Sequence, residues 1–148
     1  MYVAAGKRLT NAGAKEMMAV AVGKAREAGI AVSVAIVDAG GHVILLERME
    51  GGRFHTVHSA STKAVGAASN RRSTSARGAQ GQPLDVVHAL GLALAAGAER
   101  WTAMEGGCPV IVEGECIGGV GVAGGDWQTD EVIARAAVEA IGARWSEP

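Results

Sequence analysis

Two of the four histidines stand three residues apart in the stretch RFHTVHSASTKA, Arg53 to Ala64, and Lys63 follows the second by five. On a helix such positions lie about 60° apart at 100° per residue, so His55 and His58 can converge on one ligand. A stable zinc site wants at least one more donor, and no HExxH or Cys/His spacing supplies it. His42, Glu47 or Glu105 could do so only from elsewhere in the chain, and no resident metal is expected. The remaining readings are a hydrogen-bonded inner histidine for His58, or a pocket for an organic ligand. In the pocket, His55 or His58 moves a proton to or from an enolisable acid, while Lys63 or an arginine holds the carboxylate.

Charge is distributed unevenly around this stretch. Residues 1–77 carry 11 basic and 5 acidic groups and residues 78–148 carry 3 and 10, which leaves the halves at +6 and −7. No uniformly basic domain results, so nucleic acid is not an expected partner. The asymmetry suits complementary contacts within one fold or between identical subunits, or a basic patch for a small anion. Arg48, Arg53, Lys63, Arg71, Arg72 and Arg77 form the local concentration.

Other polar residues have plainer roles. Asp38 and His42 bracket a glycine turn, where an aspartate bonds nearby amides. His88 lies among Val86, Val87 and Leu90 and reads as a packed histidine. Asp126, Asp130 and Glu131 crowd a helix start, where carboxylates complement the dipole. Trp127 adjoins a glycine-rich strand end and can line a pocket. GGVGVAGG resembles a nucleotide loop, but no parallel βαβ context supports it. Nucleophile elbow, phosphate loop and paired catalytic carboxylates are all missing. Cys108 and Cys116 flank a hairpin in which Cys116 faces Ile111, so both are expected to be packed thiols.

The elements that must position these residues can be read from periodicity. Leu9 to Ala28 forms a helix capped by Thr10 or Asn11 and stopped at Gly29. IAVSVAIVD carries larger side chains at Ile30, Val32, Val34 and Ile36 and smaller ones at Ala31, Ser33, Ala35 and Val37, as a strand covered on both faces should. DAGGH turns it into HVILLERM. After Gly51-Gly52, the residues Phe54, Val57, His58, Ser61, Ala64, Val65 and Ala68 share one helical face. Asn70 to Pro83 reads as a mobile polar connector. Leu84 to Ala98 is another helix, CPVIVE and ECIGGVGVAGG form a second hairpin turning at Glu113-Gly114, and the last helix starts near Asp126 or Thr129. Tight turns between consecutive strands imply an antiparallel sheet covered by helices, an α+β layering. Gly119 and Gly121 on one face leave room for a closely packed helix, a ligand or a neighbouring subunit.

The 148 residues, 49% hydrophobic with 22 glycines, fit one domain, 1–148. No apolar run reaches the roughly 20 residues that span a bilayer, and MYVAAGKRLTNAG lacks a signal-peptide pattern, so no membrane partner and a cytoplasmic location are expected.

VDAGGHVILLERMEG, STKAVGAA, EGGCPVIVEGECIGGVGVAGG and QTDEVIARAAVEAI, in this order, resemble the GlcG/HbpS family, also called the haem-degrading domain or domain of unknown function 336. The resemblance spans nearly the whole chain. It implies a profilin-like fold, an antiparallel sheet of about five strands flanked by helices, and assembly into homo-oligomers. It also implies association with haem binding, redox sensing and small-molecule catabolism, without one settled activity. Glu105 stands where the family often has proline. Two functions follow. One is an oligomer that binds haem or a related tetrapyrrole, with basic residues near the propionates. The other is a catabolic enzyme, a lyase, isomerase or hydrolase without cofactor, using His55, His58 and Lys63 on a small oxygenated acid. Arg48, Arg53, Arg71, Glu105 and Trp127 are the candidate ligand-binding residues in either case; haem is the one cofactor implied.

Overall fold

Alternation of Val32, Val34 and Ile36 with Ser33, Ala35 and Val37 sends large side chains to one face of a strand and small ones to the other. A computed structural model describes residues 1–147, and in it all six are fully buried. The elements run α1 (Asn11–Glu27), β1 (Ser33–Asp38), β2 (Val43–Arg48), α2 (His55–Asn70), α3 (Val86–Ala96), β3 (Gly107–Val112), β4 (Glu115–Ala123) and α4 (Trp127–Glu139). The strands pair antiparallel in the order β2-β1-β4-β3, which puts β1 and β4 at the centre. The architecture is α+β, as expected, but the sheet has four strands rather than about five. Between β2 and β3 the chain makes α2, α3 and a connector whose only ladder contact is an isolated bridge, Arg77 to Pro83.

The two faces of the sheet hold different cores. Met17, Met18 and Val22 of α1 meet Ile133 and Val138 of α4 over Val34, Ile36, Val120 and Val122. On the other face a thinner layer of Ala60, Ala64 and Ala68 of α2 lies on Ala35, Val37 and Ala123. Gly119 and Gly121 make that approach possible, because a Cβ on either would collide with the α2 backbone at Ala64 or Ala60. A closely packed helix is therefore what the glycines of β4 admit.

Local chemistry sets the ends of these elements. Thr10 caps α1 through Gly13 N and Asp126 caps α4 through Thr129 N, at 3.1 and 2.7 Å. Glu113 and Gly114 both have positive φ, 51° and 79°, which the tight β3–β4 turn requires. Ile111 pairs with Cys116 across that hairpin, and both cysteines are free. The charge asymmetry resolves partly inside the fold: Lys7 meets Glu113 at 3.0 Å and Lys63 meets Asp130 at 3.3 Å.

Three expectations change. The face of α2 that packs is not the one bearing Phe54, which is 80% exposed; burial follows Thr56, Ala60, Lys63, Ala64 and Ala67. A sheet surface floored by glycine accepts small side chains, so alanine rather than the larger residues marks the inner side. His88 is not packed; its ring is exposed and bonded to Asp85 at the α3 start, 2.9 Å away. In α4 the spacing of Val132, Ile133, Ala136, Ala137, Ala140 and Ile141 predicts an inward face; Ile133 and Ala137 are buried, whereas Val132 is 59% exposed.

Candidate functional site

The residues that opened the sequence reading lie on α2, and its position decides which of them can act. Thr56 anchors the first turn: its Oγ1 donates to Arg53 O at 2.6 Å and lies 2.8 Å from the buried Ser33 Oγ. With Thr56 turned in, His55 and His58 emerge on the outer side, both exposed. One turn on, Lys63 runs inward to the end of the sheet. Its Nζ donates to Val122 O at 2.8 Å and to Asp130 Oδ2 at 3.3 Å, and both side chains are 4% exposed or less. Asp130 Oδ1 accepts from Gly125 N at 2.9 Å. Burial pushes the Asp130 carboxyl above its ordinary range and the Lys63 ammonium pulls it back. Gly106, with φ of 116°, closes the nest: a Cβ there would stand 2.9 Å from Lys63 Nζ and 2.6 Å from Val122 O.

Asp130 is the functional neighbour that sequence reading missed. It was assigned to the helix start, where Asp126 in fact does the capping. Its partner lies 67 residues away, a separation no local pattern reveals. A carboxylate one turn inside an apolar helix face, in register with Ile133 and Ala134, was the available signal.

Outside Lys63, α2 and α3 face each other across a cleft of about 460 Å³. His58 and Thr62 form one wall, Val86, Leu90 and Ala93 the other, and Trp101 and Met104 close the end. The lining is predominantly apolar, and its volume falls within the roughly 300–1,000 Å³ of small-molecule and cofactor sites. Among the described residues the His58 ring has no hydrogen-bond or carboxylate partner, so both ring nitrogens remain available. Thr62 Oγ1 is turned back to His58 O at 3.1 Å.

The other sequence candidates are dispersed. His55 does not line the cleft and packs edge-on to Phe54 instead, with ring centroids 6.3 Å apart. Arg48 belongs to a surface hollow with Arg26, Glu47 and Glu50. Arg53 is exposed, and Arg71 is the exposed left-handed residue ending α2, φ 57°. Glu105 and Trp127 do come together, with Arg77 and Glu131, around a separate cavity of about 570 Å³. Of the eight, His58 and Lys63 share the cleft. No three His, Cys, Asp or Glu side chains among the described residues are placed to hold a metal ion. No helix among them is long and apolar enough to cross a membrane.

Asp38 takes its expected turn role. Its Oδ1 accepts from the amides of Gly40 and His42, at 2.9 and 3.0 Å, and lies 3.1 Å from His42 Nδ1. The His42 amide leads in holding that carboxyl below its ordinary value.

Comparison with known proteins agrees with this architecture. A family model described as "Haem degrading protein HbpS-like" matches residues 9–139. An uncharacterised 15.0 kDa protein of the dhaT–dhaS intergenic region of Citrobacter freundii is 32% identical over 131 residues, 88% of this chain and 90% of that protein. Among solved structures, protein ORFY of Klebsiella pneumoniae superposes with a TM-score of 0.82 at 31% identity, covering 95% of this chain and 96% of that one. A PduOC–haem complex superposes with a TM-score of 0.81 at 25% identity, over 95% of this chain and all of the other.

Proposed function

Because the chain belongs to the HbpS-like haem-degrading family, we propose that it binds haem or a related tetrapyrrole in the cleft between α2 and α3. The observation that carries this reading is the cleft itself, an apolar slot of about 460 Å³ with an uncommitted imidazole on one wall. Haem iron accepts histidine or methionine donors, and the slot offers His58 and Met104. A bound tetrapyrrole would supply a redox-active or ligand-binding iron; the protein's part is to bury the macrocycle and present the imidazole. Lys63 supports the wall from beneath, its ammonium committed to Asp130 and Val122 O. The relative solved as a PduOC–haem complex adds support at the level of the family.

The enzyme reading has less behind it. It requires Lys63 or an arginine as a free cation beside the histidines; Lys63 is held in a buried ion pair, and no arginine lines the cleft. His55, its second acid–base group, lies outside the cleft.

We also propose that a second copy of the chain covers α3. Val87 and Leu94, which do not line the cleft, are 78% and 80% exposed, and no residue of α3 is buried. Apolar surface gathered on one helix in this way marks an interaction face. Covering it would remove the outer, open side of the cleft from water.

A haemin titration followed at the Soret band tests the binding site. The reading predicts a saturable shift, weakened about ten-fold or more in Leu90→Glu, which puts a charge into the apolar wall. No saturable shift in the unaltered protein refutes it.

A further inference from the structure

The polar connector from Asn70 to Pro83 is tied by hydrogen bonds to β3 and across itself. Thr74 N donates to Gly107 O and Gly107 N donates back to Thr74 Oγ1, both at 2.9 Å. Gly78 N reaches Gln82 O at 2.8 Å and Leu84 N reaches Ala76 O at 2.9 Å. Between this loop and the end of α2 lies a cavity of about 260 Å³, lined by Asn70, Arg72, Thr74, Ser75 and Arg77 among others. It shares Trp101 and Thr102 with the α2–α3 cleft as a common wall.

Asn70, Arg72, Thr74, Ser75 and Arg77 bring hydrogen-bond donors to the wall of this cavity. No aspartate or glutamate lines it. Arg72 is half-buried, and among the described residues its guanidinium has neither a carboxylate nor a hydrogen-bond partner. Arg77 spends one Nη1 hydrogen on Gly81 O at 2.9 Å and has no carboxylate. The Thr74 and Ser75 hydroxyls already accept, from Gly107 N and Arg77 N, so each has its own hydrogen to give. Arg72, Arg77, Thr74, Ser75 and Asn70 thus share the wall of a cavity that no carboxylate lines, although Arg77 is exposed and also borders the neighbouring cavity of Glu105 and Glu131. A partly desolvated guanidinium without a counter-charge is unfavourable, and its planar fork matches carboxylate and phosphate oxygens.

We propose that this cavity binds a small oxyanion, a phosphate or a carboxylate, held by Arg72 and Arg77 with Thr74 and Ser75 as hydroxyl donors. The site stands on its own residues and does not require the tetrapyrrole reading. Arg72 and Arg77 belong to the basic concentration of the sequence, and this is where the fold brings them together.

Isothermal titration of the full chain with inorganic phosphate and, separately, with malonate distinguishes the two anion classes and tests the site. At least one should bind saturably, more weakly as salt is raised. Arg72→Gln and Arg77→Gln should each lower that affinity about ten-fold, as loss of one charge-assisted pair implies. His58→Ala should leave it unchanged. Ser75→Ala keeps both charges and should weaken binding less, which guards against misfolding as the cause of any loss. Absence of saturable binding by both anions overturns the proposal, as does binding equally strong in the two arginine variants.

Discussion

Helices α2 and α3 reverse the usual link between apolar character and burial. α2 is rich in alanine, serine and threonine and carries a lysine, yet eight of its residues are buried, Lys63 among them. α3, VVHALGLALAA, is apolar almost throughout and buries none. The difference lies in the surfaces available to each. α2 rests on Gly119 and Gly121, where only backbone and methyl groups fit, so small residues achieve closer contact than leucine could. α3 has no sheet beneath it; its inner side borders the cleft and its outer side faces solvent. Shape decides burial within the chain, and the apolar surface of α3 is left with no internal partner.

The contrast can be broken most severely from the α2 side. Gly121→Val should abolish folding or lower stability well beyond the roughly 1–3 kcal/mol of ordinary overpacking, since main chain at Ala60 and Ala64 must move. Urea unfolding measures this, and a near-neutral result would mean that α2 is not seated on β4. Asp130→Ala leaves the Lys63 charge buried without its partner and should cost about 3 kcal/mol by the same measurement. Replacing Lys63 by Met as well should recover much of that loss.

On the α3 side the expected effect is on assembly rather than stability. Val87→Glu combined with Leu94→Glu should shift the mass measured by light scattering towards the monomer, with unfolding changed by less than about 0.5 kcal/mol. An unaltered mass would show that α3 is not the covered face. The smallest effect belongs to a cap away from both helices. Thr129 N holds the Asp126 carboxyl below its ordinary value of 3.8, so the ionised cap stabilises α4 above that pH. Its contribution is lost as pH falls through the lower folded value. Asp126→Ala should therefore lower the melting temperature slightly near neutrality, and the difference from the unaltered protein should vanish in stronger acid.

Much of the scaffold was legible because its signals are local. The Thr10 and Asp126 caps, the Glu113-Gly114 turn, the two-faced β1 and the register opposing Cys116 to Ile111 all follow from neighbours a few residues apart. The site was less legible. Periodicity grouped His58 with Phe54 and Val57 on one face of α2, because it weighs side-chain hydropathy and not the glycine surface beneath. Lys63 read as a free cation because Asp130, which neutralises it, stands 67 residues along the chain. Arg72 and Arg77 read only as part of a polar connector, since the bonds that tie it to the sheet run from Thr74 to Gly107, 33 residues on.

The most direct test of the cleft is a haemin titration comparing His58→Ala with His55→Ala, two imidazoles one turn apart on the same exposed side of α2. The account predicts that His58→Ala weakens or alters the Soret shift by about ten-fold in affinity, while His55→Ala titrates like the unaltered protein. Equal loss in both, or loss confined to His55→Ala, would contradict the placement of the ligand between α2 and α3.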